Sequence, residues 1–320
     1  MTQGKKALIT GVTGFAGSHL TELLLKEGVD VYGIQRWRSK TENIRHLQDK
    51  IKIEEADLLD AHSLYTVIDK IKPDYIFHLA AQSFVQSSWA SPTQTLEVNI
   101  IGSAHLFEAV RKTGLPITIQ IACSSEEYGK VLPNEVPIKE TNPLRPLSPY
   151  AVSKLAMDYL GYQYFQSYGL RIIRTRGFNH TGPRRGDVFA ESSFAKQIAE
   201  IEKGSREPIV HVGNLEAQRD YTDVRDMVRA YYIAVQKCEP GEVYNIATGS
   251  AWKIKDVLDL LISMAKVKVE IKPDPARMRP SDVEILIGDN TKFVKQTGWK
   301  AEIPFEKTME DLLNYWRENV

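Results

Sequence analysis

Tyr150-Ala151-Val152-Ser153-Lys154 follows the turn-forming Leu147-Ser148-Pro149, and that context opens a helix at the tyrosine. Residues four apart on a helix share a face, so the phenol and the ammonium point into one cleft. A tyrosine with an ordinary pKa near 10 needs a downward shift of about three units, on the order of 4 kcal/mol, to act as a base near neutrality. A neighbouring ammonium, and any further positive charge held beside it, supply that shift by favouring the phenolate. The same spacing also arises in surface pairs. What separates the two readings is chain order, because a glycine-rich turn, then Ser124, then Tyr150 and Lys154 each follow a predicted strand.

Ser124 ends the run Ile117–Ile121 through Ala122-Cys123, and is followed by Ser125-Glu126-Glu127-Tyr128-Gly129. Its hydroxyl is placed to bond the substrate oxygen that Tyr150 deprotonates. Glu126 is suited to take a carbon-bound proton made acidic by a neighbouring ketone, and to help a hydroxyl leave as water. An exposed loop acid is the alternative, since Glu127 beside it shows that acids are tolerated there. Cys123 has no histidine partner in view and reads as a small buried side chain.

Strand Ala7-Leu8-Ile9-Thr10 runs into Gly11-Val12-Thr13-Gly14-Phe15-Ala16-Gly17 and then a helix over Ser18–Lys26. Between a first strand and a first helix, such glycines permit a tight turn, close approach of a pyrophosphate and tight helix–strand packing. Gly11, Thr13, Gly14, Phe15 and Ala16 are therefore expected to contact a dinucleotide. About 20 residues further on, where NAD-binding folds commonly place a carboxylate, stands Gly33-Ile34-Gln35-Arg36-Trp37-Arg38. With two arginines and no acid, the loop is read as a clasp for the 2′-phosphate of NADP. Asp57-Leu58 lies where the adenine is usually touched.

These residues need a frame. Through about residue 176 short apolar runs (Ala7–Ile9, Val29–Ile34, Ile51–Ile53, Tyr75–Leu79, Ile117–Ile121, Arg171–Thr175) alternate with helical patterns, the sequence form of an α/β doubly wound parallel sheet of Rossmann type. Beyond Gly177 the alternation fails and a smaller mixed α/β lobe begins, with helical periodicity returning at Ile254–Met264 and Phe305–Trp316. The expected division is 1–176 for the cofactor and 177–320 predominantly for the substrate, the two interlocked.

The chain has 320 residues with 41 Lys+Arg against 41 Asp+Glu, so no net field favours nucleic acid or membrane. No stretch approaches the roughly 20 apolar residues of a membrane span. The start lacks the apolar segment of a signal peptide, which leaves the cytoplasm as the default. Two cysteines, Cys123 and Cys238, give neither a disulfide framework nor metal-ligand spacing, so no metal is expected.

Gly11…Gly17, His78-Leu79-Ala80-Ala81-Gln82-Ser83, Ser124–Gly129, Tyr150…Lys154 and Arg176-Gly177-Phe178-Asn179-His180 together resemble the extended short-chain dehydrogenases/reductases that act on nucleotide sugars. Within them the chain is most similar to the GDP-mannose 4,6-dehydratases and their relatives the GDP-4-keto-6-deoxymannose reductases, over essentially its whole length. The resemblance implies NADP as cofactor, a GDP-hexose as substrate, and Ser124, Glu126, Tyr150 and Lys154 as the catalytic set. It places Leu79, Ala80, Ala81, Ser83 and His180 by the cofactor. Ser83, Ser125, Glu126, Asn179, Lys196, Arg219 and Arg279 fall to the substrate, with Gly213-Asn214 in the loop that receives the base. Arg184 and Arg185 join these local cations, or reach a neighbouring subunit. A homodimer or homotetramer is implied, with helices near 92–113 and 150–167 as its seam. Phe178-Asn179-His180 followed by Pro183-Arg184-Arg185-Gly186 favours the dehydratase, whereas Arg219–Asp226, Asp274–Pro280 and the lack of a substrate-lobe insertion read more like the reductase. A C4 epimerase and a non-catalytic NADP sensor are further alternatives.

Overall fold

In the computed structural model, which describes residues 4–278 and 283–320, the alternating segments form strands β1 (Lys6–Thr10), β2 (Asp30–Gln35), β3 (Lys52–Glu55), β4 (Tyr75–His78), β5 (Thr118–Ser124) and β6 (Arg171–Gly177). They pair in parallel in the spatial order β6-β5-β4-β1-β2-β3, and a seventh strand, Val243–Ile246, adds parallel to β6. The order reverses beside β1, which opens a crevice at the carboxyl ends of β1 and β4. The expected Rossmann-type architecture is the one observed.

Side chains alternate across the sheet as the two-residue period requires. Ala7 and Ile9 face a core shared with helices Phe15–Lys26 and Val224–Lys237, whereas Leu8 faces one shared with helices Ala61–Ile71, Gly102–Thr113 and Pro149–Tyr168. Residues 224–246 thus return from the second half of the sequence to the first sheet. The remaining lobe packs helices Ala190–Glu202, Ile254–Ser263 and Phe305–Asn319 around Phe194, Tyr221, Leu258 and Leu312. Its small sheet centres on strand Gln218–Asp223, which pairs with Asn179–Thr181, Ala251–Lys253 and Ile285–Leu286. None of the helices among the described residues is long and apolar enough to cross a membrane.

The helix expected near residues 92–113 is interrupted. A wide π-type turn, Glu97–Ile101, separates Pro92–Leu96 from Gly102–Thr113 and brings Asn99 to the sheet's carboxyl edge.

Where β1 enters helix Phe15–Lys26, a Cβ on Gly17 would lie 2.2 Å from the carbonyl oxygen of Gly11. That oxygen is backbone and cannot move aside. Gly17→Ala is expected to destabilise the protein by about 1–3 kcal/mol through forced separation of strand and helix, measured as a lower midpoint in urea unfolding.

Candidate active site

A cleft of about 780 Å³ runs along the carboxyl edge of the sheet and under the second lobe. At one end Gly11 has φ +74°, and a Cβ there would lie 2.9 Å from the amide nitrogen of Ala80, so glycine is required by conformation and by space. Gly14 is the N-cap of helix Phe15–Lys26, without a side-chain cap and with no acid in the first turn. The uncapped amides therefore face the cleft with the positive end of the helix dipole, a seat for a pyrophosphate. Thr13, Phe15 and Ala16 line the same end, as do Asp57 and Leu58 beyond β3. At the end of β2 stands Gln35 with no carboxylate, and exposed Arg36 lines the cleft beyond it. Arg38 does not: the turn in which the Ser39 amide donates to the Arg36 carbonyl carries it past the cleft wall.

The floor below is a buried polar network. Ser103 Oγ donates to the Asn99 carbonyl at 2.6 Å and so accepts from His78 Nε2 at 2.9 Å. His78 Nδ1 then accepts from Thr10 Oγ1 at 2.8 Å, and that oxygen accepts from the Ala80 amide at 3.2 Å. Asn99 accepts from the Gln82 amide and donates to the Gln82 carbonyl and to Ser153 Oγ. In this way the interior holds Leu79, Ala80, Ala81 and Ser83 along the cleft, which all four line.

Ser124 ends β5, and Tyr150 and Lys154 lie on helix Pro149–Tyr168, whose Ser148 N-cap accepts from the Ala151 amide. Pro149 at the first helical position fits because its missing N–H would have had no helical partner. Lys154 Nζ donates to the Ala122 carbonyl at 2.8 Å and lies 6.0 Å from the centre of the Tyr150 ring. Burial lowers the pKa of the Lys154 ammonium. It raises that of the Tyr150 phenol, against the pull of a hydrogen bond with Ser124 and with a further push from the charge of Glu126. Glu126 is half-buried and lines the cleft, and among the described residues its carboxylate enters no ion pair or hydrogen bond. Its neighbours differ. Ser125 is buried and lines the cleft, whereas Glu127 is wholly internal. The thiol of Cys123 is pushed well above its usual pKa by burial, which suits an inert core residue.

At the far end stand Asn179, Gly213, Asn214 and Arg219. A Cβ on Gly213 would meet the Arg277 carbonyl at 2.8 Å, and Arg277 reaches back to Ser193 Oγ at 3.0 Å, lining the cleft. Arg279 lies outside the described residues. Lys196 is not at the cleft, because Asp187 holds its Nζ at 2.6 Å on an outer face over the Trp316 ring. Arg184 is committed within its own chain: it grips Glu22 at 2.8 Å through both nitrogens and bonds the buried His19. Arg185 turns inward. Its guanidinium lies 3.4 Å over Phe189 and 5.1 Å from Phe15, with Glu191 at 3.5 Å. His180 stacks on the other neighbour of this wall, Phe15, at 5.9 Å. Arg277, Glu191 and Phe189 were not expected from sequence; for Arg277 the signal was its place in the Asp274–Pro280 run, two residues before the arginine chosen there.

A family profile described as GDP-mannose 4,6 dehydratase matches residues 8–312. The chain belongs to the GDP-mannose 4,6-dehydratase family. It is thereby an enzyme of the extended short-chain dehydrogenase/reductase superfamily, as its sequence motifs imply. A GDP-6-deoxy-D-mannose reductase of Pseudomonas aeruginosa is 33% identical over 320 residues, 100% of this chain and 99% of that one. A GDP-mannose 4,6-dehydratase of Vibrio cholerae is 33% identical over 349 aligned positions, 97% of this chain and 92% of the other. Among solved structures, RMD from Pseudomonas aeruginosa complexed with NADPH has a TM-score of 0.84 at 31% identity, covering 99% and 100% of the two chains. The UDP-glucose 4-epimerase of Thermus thermophilus, in complex with NAD, reaches 0.88 at 30%, covering 98% and 100%.

Three histidines tie the site to pH. Burial lowers His19 to about 4, His78 to about 3 and His180 to about 4, from 6.5 when exposed. Below pH 6.5 the unfolded chain therefore binds protons that the folded one refuses, and stability falls as pH drops toward 4. Each histidine contributes a slope of about 1.4 kcal/mol per pH unit in that window and none well above it. Urea unfolding at pH 7.5, 6 and 5 is expected to show that loss, and His180→Asn to reduce its slope by about one proton.

Proposed function

We propose that this enzyme is an NADP-dependent GDP-mannose 4,6-dehydratase, a lyase forming a GDP-4-keto-6-deoxyhexose. The observation that carries the reading is Glu126, a carboxylate without a protein partner among the described residues, beside Ser124 and Tyr150 in the cleft. An acid serving only solubility would stand outside, and one serving only structure would be paired.

The chain fits the cofactor. Gly11 and Gly17 leave room only for backbone, the uncapped helix offers amides to a pyrophosphate, and Arg36 stands where a 2′-phosphate needs a guanidinium. Held there, a nicotinamide would supply a hydride acceptor for C4 and the same hydride for C6, with no net consumption of cofactor. Tyr150 as phenolate takes the O4 proton while Ser124 bonds that oxygen. Lys154 stabilises the phenolate charge and is itself oriented by the Ala122 carbonyl. Glu126 then removes the C5 proton, acidified by the C4 carbonyl, and delivers a proton to the departing C6 hydroxyl. One water leaves.

In this reading residues 1–176 are chiefly the cofactor unit and 177–320 chiefly the substrate lobe, with 224–246 lent back to the first sheet. Asn179, Arg219 and Arg277 face the diphosphate, with Arg279 assigned by resemblance alone. Gly213 and Asn214 receive the base, and Arg185 lies beside the sugar.

A second reading, an NADPH-consuming 4-keto reductase, is favoured by the match to the Pseudomonas reductase, which aligns over 320 residues against 349 positions for the Vibrio dehydratase. Incubation with GDP-mannose without added NADPH separates them. A product lighter by one water is expected; no product, with turnover of the 4-keto-6-deoxy sugar only when NADPH is added, assigns the reductase. Glu126→Gln is expected to lower the dehydration rate by roughly 10²–10⁴-fold with nucleotide binding retained, and full turnover excludes Glu126 as the base. Arg36→Ala is expected to weaken NADPH by about tenfold or more while leaving NADH nearly unchanged, as read by fluorescence titration.

A further inference from the structure

Glu126 and Glu127 are adjacent in a single 3₁₀ turn, Ser125–Glu127, yet the second faces the interior with no exposed surface. Its Oε1 accepts from the Ser124 amide at 2.8 Å, while Ser124 Oγ accepts from the Glu126 amide at 3.2 Å. The two residues cap one another. The other oxygen, Oε2, lies 3.2 Å from Arg176 Nε. Arg176 in turn holds Asp158 at 2.7 Å, and Arg174 holds the second Asp158 oxygen at 2.6 Å. Asp158 lies on the helix of Tyr150 and Lys154, one turn beyond the lysine. A buried chain of polar contacts therefore runs from the turn bearing Ser124 and Glu126, through β6, to the helix bearing the phenol and ammonium.

The ligand atoms of Cys123, Glu127 and Asp158 lie within 4.8 Å of one another, a spacing open to a metal. Arg174 and Arg176 already occupy both oxygens of Asp158, while Glu127 Oε2 lies beside them without a hydrogen-bond partner of its own, which makes this a polar cluster built around arginine–aspartate pairs. Burial beside Asp158 pushes the Glu127 carboxyl well up and leaves Asp158 low, so the neutral acid is the form the pocket favours at Glu127.

We propose that Glu127 is a positioning residue for the reaction at Tyr150: its carboxyl, stretched between the Ser124 amide and the Arg176–Asp158 pair, fixes Ser124 and Glu126 relative to the catalytic helix. The proposal rests on the reading of this cleft as a nucleotide-sugar site. Glutamine at 127 keeps an acceptor for the Ser124 amide and carries no charge. Aspartate is one methylene short, and leucine fills the space without an acceptor.

The test compares Glu127→Gln, Glu127→Asp and Glu127→Leu in the full chain by NADPH binding, by kcat and KM on the GDP-sugar that the wild type converts, and by hydrogen–deuterium exchange of residues 118–128. The glutamine variant is expected to keep kcat within about threefold and its amide protection, whereas Asp and Leu lower kcat by about tenfold or more. KM and NADPH affinity stay within about twofold in all folded variants, and exchange near Ser124 accelerates for Asp and Leu only. Wild-type kcat and protection in the aspartate or leucine variant overturns the proposal, as does a glutamine variant as impaired as they are, or a parallel loss of kcat, KM and cofactor binding. If the wild type converts no GDP-sugar, the proposed function fails. Exchange then decides the role of Glu127 alone, with unchanged protection at Ser124 in the aspartate or leucine variant counting against it.

Discussion

The cleft depends on two ionisable groups buried side by side. Lys154 and Tyr150 both lose water, and in a medium of low polarity each is pushed toward its neutral form. Charging the pair in the productive sense, ammonium beside phenolate, therefore requires the two to remain close and further charge to stay where it helps. The Ala122 carbonyl fixes the ammonium, and the Ser124 side chain pulls against the upward shift of the phenol. Since a buried pair is poorly screened, displacement of either group changes its proton affinity more than it would at a surface. Much of the surrounding structure consequently acts by holding positions.

Cross-links between the lobes set the width of the space. Arg184 ties the loop after Thr181 to Glu22 and His19 on the first helix, and Phe15 of the glycine turn stacks on His180 of the second lobe. On the far side, buried Asp220 accepts from the Thr248 amide and hydroxyl and from the amides of Gly249 and Gly288, joining three segments beneath Arg219. A carboxylate with that many donors holds backbone as firmly as a short sheet. Such ties, together with the chain's return to the first sheet at residues 224–246, hold the cleft's two sides in place.

Legibility in the sequence followed from how local each constraint was. The glycine turn, the Tyr150–Lys154 spacing and the six alternating strands are written in adjacent residues, and they stand where the motifs implied. The seventh strand, Val243–Ile246, is four residues long and is recruited by an edge of β6 that is distant in sequence. Long cationic side chains were the least legible. Arg36 and Arg38 differ only in how a turn at Ser39 rotates them, and Lys196 was claimed by Asp187, a partner no motif announces. The adjacent acids 126 and 127 could not be told apart by type, since their fates rest on Arg176 and Asp158 reaching one of them through tertiary packing.

That last distinction links architecture to chemistry. In a 3₁₀ turn successive side chains stand about 120° apart, so one tripeptide presents its residues to different surroundings. Ser125 and Glu126 line the cleft, whereas Glu127 enters the charge cluster behind β5. An uncommitted carboxylate in a cleft is a flexible group on a short connection, and under the proposed function a base that takes a C5 proton tolerates little wandering. The anchor beside it removes that freedom from the backbone without occupying the carboxylate itself. The same turn then holds a group free to react and the group that keeps it in place.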